Sequence, residues 1–409
     1  LSAPSRLSGA LVPLSLFRQR NFRLTWSSVM LGGMGQQMET ILLAWYVLTI
    51  TDSPFLVGLV GASRLAANLM ALYAGAVVDK LPRHLILAVV GLAWTSTAII
   101  MLFLLKTDLF EIWQVFAIAF AGGIGRTFAM PSGQSLAADS VAPERIPNAV
   151  ALINTGMDVN LIFGASIMGF LFQAYGIEGA YLMITAVYAT SGVVALFIRV
   201  PRSGIVRAQE SVWRMIASGL MYVKRNQILW AALALAVIIN ITGFPLHTTL
   251  MPVFAKDVLE VDARGLGLLI SAFGLGALIG SLTWASIGST RNTGKRLLVA
   301  VIVWHASMAV FAMSTSLPLS LGILVITGMA FSSTLVLILT TLLRSSSPEY
   351  RGRITGLRVL AIYAHTFGSM TSGGIAGLWG APTAATINGV VGILLILALA
   401  SVAPKLRRV

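Results

Sequence analysis

The chain has 409 residues, 57% of them apolar and 10% charged, with a formal net charge of +14 and no cysteine. That balance excludes an ordinary soluble domain, in which about a quarter of the residues are charged. The absence of cysteine excludes disulfides and thiolate metal sites.

Twelve apolar stretches fill the chain in order: 22–48, 54–78, 84–105, 110–138, 147–174, 179–198, 228–255, 265–288, 296–315, 318–343, 354–378 and 382–402. Each approaches the roughly 20 residues that an α-helix needs to cross a bilayer. Transmembrane strands are about 10 residues long with alternating polarity, whereas these runs are longer and apolar on every side. Helices satisfy their own backbone in lipid, so the sequence predicts an all-α polytopic membrane protein with twelve transmembrane helices. Residues 1–20 lack a long apolar core and carry Arg6, Arg18 and Arg20, so no cleavable signal peptide is expected.

The placement of the basic residues sets the expected orientation. Lys106, Lys256 and Arg264 fall in one set of alternate loops, beside seven acids, and Arg64 and Arg126 fall inside the apolar stretches. All the other Lys and Arg lie on the opposite side, which places both termini in the cytoplasm of a bacterial-type inner membrane. The positive charge is therefore topological, and the expected partner is the lipid bilayer, with no nucleic acid.

A six-span unit repeats at an offset near 205 residues: Pro143-Glu144 aligns with Pro348-Glu349, Leu152 with Leu357, and Asn21 with Asn226. The predicted organisation is an N-terminal six-helix bundle (1–199), a cytoplasmic linker (200–227) and a C-terminal six-helix bundle (228–409). Within the linker, Val212, Ile216, Leu220 and Val223 share one helical face beside Trp213, Arg214, Lys224 and Arg225. This predicts an amphipathic helix in the membrane interface, the alternative being a simple tether.

Two acids and two bases remain inside the spans: Glu39, Asp158, Arg64 and Arg126. An ionisable side chain there costs at least about 2.5 kcal/mol, so it faces a cavity or a partner. Glu39 and Arg64 sit at matching distances from the turn at 51–53, roughly 16 to 18 Å at about 1.5 Å per residue, and can meet near the midplane. Arg126 and Asp158 have comparable depths measured from the other side, which permits a second pair. Gln36 shares a face with Glu39, and Asn154 shares one with Asp158, which suits a hydrated cavity. The competing reading is a pair of buried ion pairs that only fix helix register. His247, His305 and His365 also lie within spans and could carry protons, or serve as satisfied structural donors.

At Gly75-Ala-Val-Val-Asp79-Lys80-Leu-Pro-Arg83-His84 the chain resembles the loop signature of the major facilitator superfamily. The finer resemblance is to the drug:proton antiporter branch that includes macrolide efflux pumps, enterobactin exporters and lysophospholipid transporters. It is carried by Asn21-Phe22-Arg23-Leu24, Ser53-Pro54, Ala129-Met130-Pro131, the run Val141 to Ala149, Gly219 to Asn226, and Pro348 to Arg353. It departs from the family at Gly35-Gln36, where an aspartate is common, and at Gly164-Ala165, where proline usually follows the glycine.

The resemblance implies two pseudo-symmetric six-helix bundles, the major facilitator fold, that rock about a central site. It implies a secondary active transporter that exports amphipathic or hydrophobic small molecules by alternating access with proton antiport; with no nucleotide-binding glycine loop, cysteine nucleophile or repeated filter loop in the sequence, neither an enzyme nor a channel is expected. Such a protein is a monomer without cofactor or metal. Glu39, Asp158, Arg64, Arg126, Gln36 and Asn154 are then the expected proton-coupling or substrate-binding residues, and Gly75, Asp79, Lys80 and Arg83 the expected gating residues. Phe128, Met130, Met157, Phe163, Phe244 and Met251 are available to line the cavity. Translocation of a lysophospholipid or another anionic amphiphile such as a siderophore is the alternative, and a transport-inactive sensor or scaffold is the rival from another class.

Overall fold

The computed structural model describes residues 14–70, 78, 81–199, 212–287 and 292–408, and among these no strand occurs. Gly75, Asp79 and Lys80 lie outside the described residues, as do residues 71–77 of the second predicted span. The helices in the first half are α1 (Arg20–Thr51), α2 (Pro54–Ala66), α3 (Arg83–Lys106), α4 (Ile112–Asp139) and α5 (Ile146–Leu196). A linker helix, α6 (Val212–Lys224), leads to α7 (Gln227–Thr242), α8 (Ala263–Ile287), α9 (Thr293–Ala312), α10 (Leu317–Arg344), α11 (Arg351–Ala361), α12 (Ala364–Trp379) and α13 (Ala381–Val402).

These helices follow the predicted apolar stretches in order. Among the described residues, eight helical segments are by themselves long and apolar enough to cross a membrane. Several spans depart from a single straight helix for local reasons. The helix α5 contains both the fifth and sixth predicted spans, broken at Gly176, where φ is 64°. The seventh span continues past α7 through π-helical turns at Leu246–Leu250 and Phe254–Val258, and the eleventh is divided between α11 and α12. Between α1 and α2 the turn is tight: Asp52 takes a left-handed conformation, and Ser53 Oγ accepts the Leu56 N–H at 3.4 Å as the N-cap of α2.

Within the first half, α1 lies along α5, α3 packs on α4 and α5, and α2 packs on α4. The second half repeats the plan, with α10 on α8 and α9, and α13 on α9 and α12. The repeat also appears as hydrogen bonds. Asn21 Oδ1 accepts from the Arg199 backbone N–H, and Gln227 Oε1 accepts from that of Lys405, the partners being 178 residues apart in both cases. The equivalent of Asn21 is thus Gln227, one residue beyond the Asn226 expected from the alignment. Pro143-Glu144 and Pro348-Glu349 both begin one-turn 3-10 helices, as equivalent positions should.

The linker forms a helix where the sequence predicts one, and it docks on the start of α11. Tyr222 stacks on Tyr350 at 4.1 Å between ring centroids, and Arg353 Nη1 donates to Ser218 Oγ at 2.9 Å. Val223 is buried while Leu220 is exposed, so the apolar face is shared between protein and surroundings. The side chains of Val212, Trp213, Arg214 and Ile216 lie outside the described part.

The halves meet where α5 packs on α8 and where α2 packs on α12. At the second contact Gly58 brings two backbones together: a Cβ there would stand 2.4 Å from the Ser369 carbonyl oxygen. At the first, Ser166 Oγ and Ser271 Oγ are 2.7 Å apart, and Ser271 also donates to the Ile162 carbonyl at 2.6 Å. Lys256 adds an ion pair to Asp52 and donates to the Leu48 carbonyl at the end of α1. Gly58, Asp52 and Lys256 gather toward the end of the bundle away from the basic loops, so the halves are joined at that end. Cysteines introduced as Asp52→Cys and Lys256→Cys into this cysteine-free chain should be joined by a short bismaleimide cross-linker. Adding Gly58→Val should slow that reaction several-fold, as read by the change in gel mobility.

Candidate functional site

The site is built on α1, α2, α4 and the second pass of α5. Arg64 Nη2 reaches Glu39 Oε2 at 3.2 Å, and both side chains are buried. Arg64 Nη1 donates to Gln36 Oε1 at 2.8 Å, Gln36 Nε2 donates to Tyr188 Oη at 2.8 Å, and Tyr188 Oη donates to Glu39 Oε2 at 3.0 Å. The four side chains form a closed ring of neutral net charge. Its members come from three helices, so it fixes their relative register.

The periodicity of α1 places Gln36 and Glu39 one turn apart on the face turned toward α2 and α4. Gly122 on α4 leaves the space the ring occupies: a Cβ there would lie 3.4 Å from both Gln36 Nε2 and Glu39 Oε2. Not every atom of the ring is satisfied. Glu39 Oε1 and Arg64 Nε are buried with no hydrogen-bond partner. A buried carboxylate oxygen without a donor costs about 1–3 kcal/mol or more, so this atom is a ready acceptor for a proton or another donor.

Beside the ring lies a cavity of about 110 Å³ whose wall includes Ser28, Gln36, Gln37, Trp94, Arg126 and Asn160. Arg126 is exposed to it and makes no ion pair or hydrogen bond with any described residue. Its expected partner, Asp158, lies on α5 with its side chain outside the described part, so that pair is not defined. Asn154 is exposed and is not among the residues of the wall. The face of α5 that meets the cavity carries Met157 and Asn160 instead, and Asn160 Nδ2 donates to the Met30 carbonyl at 3.0 Å.

Among the other expected lining residues, Met130 and Met157 face this cavity, whereas Met251 is buried and Phe163 is exposed. Phe128 belongs to a separate apolar groove between α3 and α4, and Phe244 to an aromatic cluster with Trp304 and Phe331. The histidines divide. His305 is buried, its Nδ1 donating to the Val301 carbonyl and its Nε2 lying 2.8 Å from Thr242 Oγ1, which accounts for both nitrogens. His365 Nε2 lies 3.0 Å from Thr248 Oγ1. His247 stacks on Phe273 at 4.9 Å and leaves Nδ1 buried without a partner. None of the three lines the Arg126 cavity.

Of the expected gating residues, Arg83 is described, and it pairs with Asp139, tying the start of α3 to the end of α4. Sequence reasoning missed Tyr188, Asn160 and Trp94. Trp94 donates its indole N–H to the Gly122 carbonyl at 3.2 Å and packs against Tyr188 at 5.3 Å between centroids. A tyrosine deep inside an apolar span was the available signal, since a buried phenol needs a hydrogen-bond partner.

Removing the ring's members separates their contributions. Tyr188→Phe leaves Gln36 Nε2 without its acceptor and Glu39 with one donor fewer, and should destabilise the fold by about 1–3 kcal/mol. Arg64→Met leaves a buried carboxylate unpaired and should cost about 3–5 kcal/mol. Thermal unfolding of the purified variants checks both the order and the size.

The comparisons with known proteins agree with this architecture. The family model described as transmembrane secretion effector matches residues 10–408. The chain is 24% identical over 346 residues to the multidrug efflux pump Tap of Mycolicibacterium fortuitum, covering 81% of this chain and 83% of that protein. It is 21% identical to the uncharacterized MFS-type transporter YkuC of Bacillus subtilis (strain 168), covering 73% and 72%. Among solved structures, a bacterial homologue of the human lysosomal transporter Spinster, in an inward-facing and unoccupied conformation, superposes with a TM-score of 0.72 at 16% identity, covering 96% of this chain and 98% of that one. A mutant of the nucleoside transporter NupG gives 0.76 at 14% identity, covering 95% and 99%. The chain belongs to the transmembrane secretion effector family of major facilitator superfamily transporters, and it is a membrane transporter rather than an enzyme.

Proposed function

We propose that this transporter exports amphipathic small molecules by alternating access, and that protons entering through Glu39 drive it. The observation that carries the proposal is the unequal use of the Glu39 carboxylate: Oε2 takes hydrogen bonds from Arg64 and Tyr188, while Oε1 has no partner. A proton on Oε1 would discharge the carboxylate and weaken its hold on Arg64. The ring would then loosen, and with it the register of α1 against α2.

Because α2 also carries the contact with α12, a change in that register bears on the joint between the halves. Protonation and the movement of the halves are thereby coupled through one helix, as an antiport cycle requires. Efflux as the direction is supported by the similarity to a multidrug efflux pump. The termini and basic loops are taken as cytoplasmic, so the end at which the halves are joined faces outward and substrate enters from the cytoplasmic side.

In sealed proteoliposomes, Glu39→Gln should abolish export driven by a pH gradient. Exchange of labelled for unlabelled substrate should persist, because it needs movement of the loaded carrier but no net proton transfer. Export that follows the pH gradient undiminished in this variant would overturn the assignment.

A further inference from the structure

Two tyrosines stand between the Glu39 ring and the end of the bundle away from the basic loops. Tyr46 lies five residues before the end of α1 at Thr51, and Tyr181 five residues after the break in α5 at Gly176. At about 1.5 Å per residue, both sit roughly 7 to 8 Å below that end. Glu39 and Tyr188 each lie twelve residues from the same two points, roughly 18 Å below it. Seven residues therefore separate the two levels on both helices, a spacing that returns a side chain to nearly the same helical face.

The outer pair of phenols is unequal. Tyr46 is half-buried and meets Phe110, in the segment leading into α4, edge-on at 5.5 Å. Tyr181 is fully buried, and its hydroxyl has no hydrogen-bond partner. It lies within electrostatic reach of Glu39, Arg64 and Tyr46, and Tyr188 lies within reach of it in turn, so it belongs to the neighbourhood of the ring. Between the two tyrosines of α5, on the same face, Thr185 donates to the Tyr181 carbonyl at 2.7 Å. A phenylalanine at 181 would pack equally well without burying an unsatisfied hydroxyl, so packing does not account for the Tyr181 oxygen.

We propose that Tyr46 and Tyr181 carry protons from the outer end of the first half to Glu39 Oε1. This rests on the reading of Glu39 as the coupling carboxylate and adds the route by which its proton arrives. A phenol passes a proton on without net ionisation: its oxygen takes one proton on a lone pair as its own O–H proton leaves toward the next acceptor. Water spans the step between the levels, and Glu39 Oε1, the carboxylate oxygen without a donor, is the terminus. Arg64 is held on Oε2 and leaves that terminus free.

With the halves joined at the outer end, the Tyr181 hydroxyl has no group from which to take a proton and none to which to hand one. The relay is interrupted in this state, which prevents a leak while the ring adjoins the Arg126 cavity. Opening of the outer end admits water to Tyr46 and Tyr181 and completes it.

The test is uptake of ethidium by sealed proteoliposomes with an acidic lumen, which reports the molecules whose outer end faces the lumen. The bath pH is held constant and the luminal pH is varied. Tyr181→Phe should slow uptake at least tenfold at the least acidic lumen. Its profile should be displaced by about one pH unit toward acid and reach the unmodified plateau, because a tenfold higher proton concentration makes good a tenfold slower delivery. Tyr46→Phe should move the profile the same way by less, and Tyr175→Phe, at an exposed position beside the Gly176 break, should leave it unchanged. Thermal unfolding of Tyr181→Phe should match that of the unmodified chain or exceed it, because no hydrogen bond is lost, whereas Tyr188→Phe loses two.

A lowered plateau with lowered thermal stability would overturn the proposal and make Tyr181 a packing residue. A Tyr181→Phe profile that coincides with the unmodified one, while Glu39→Gln accumulates no ethidium, would overturn the route and leave the coupling role of Glu39 standing. Accumulation along the pH gradient by Glu39→Gln would overturn that coupling role and the route with it.

Discussion

A carboxylate and a guanidinium at the middle of a membrane hold each other in place only when neutral donors and acceptors fill the rest of their coordination. The ring of Glu39, Arg64, Gln36 and Tyr188 meets that condition almost completely. Its charges cancel, its two neutral members bridge the ion pair, and it draws α1, α2 and the second pass of α5 to one point. The glycine at 122 and the wall containing Trp94 and Arg126 are arranged around it. Glu39 Oε1 is the one carboxylate oxygen it leaves unsatisfied, and the proposed proton coupling rests on that atom.

The two halves share a plan but not a chemistry. In the first half, among the described residues, Glu39 and Arg64 neutralise one another and Arg126 faces open space. In the second half the buried polar residues described are neutral, among them His305 and His365 on threonine hydroxyls and Asn388 on Ser372, with Phe244, Phe273, Phe331 and Trp304 clustered around His247. The π-helical turns of the seventh span break its regularity beside His247, and the same segment carries Lys256 into contact with the first half. Among the described residues, the buried ion pair therefore belongs to the first half and the π-helical turns to the second.

Much of this was legible in the sequence because the membrane leaves few alternatives. Apolar length located the helices, and the depth of Glu39 and Arg64 below a shared turn anticipated their meeting. Residues whose roles depend on direction around a helix were less legible. Asn154 and Asn160 look equally suitable by composition, yet Asn160 reaches the cavity and Asn154 does not, because their positions on α5 face different neighbours. Tyr188 was missed since it is distant from Gln36 and Glu39 along the chain and is brought to them only by the packing of α5 on α1. The one-residue shift from Asn226 to Gln227 arises similarly: similarity aligned the amides by type, whereas the hydrogen bonds pair them by position.

The paired bonds from Asn21 to Arg199 and from Gln227 to Lys405 close each half from its first helix to its end. A chain is synthesised from its N-terminus at about 5–20 residues per second, so the first of these closures becomes available while the second half is still unmade. The first six helices can therefore set their buried ring before any partner helix arrives. The second half then assembles against a surface already in register, and the order of biosynthesis becomes part of how the bundle is put together.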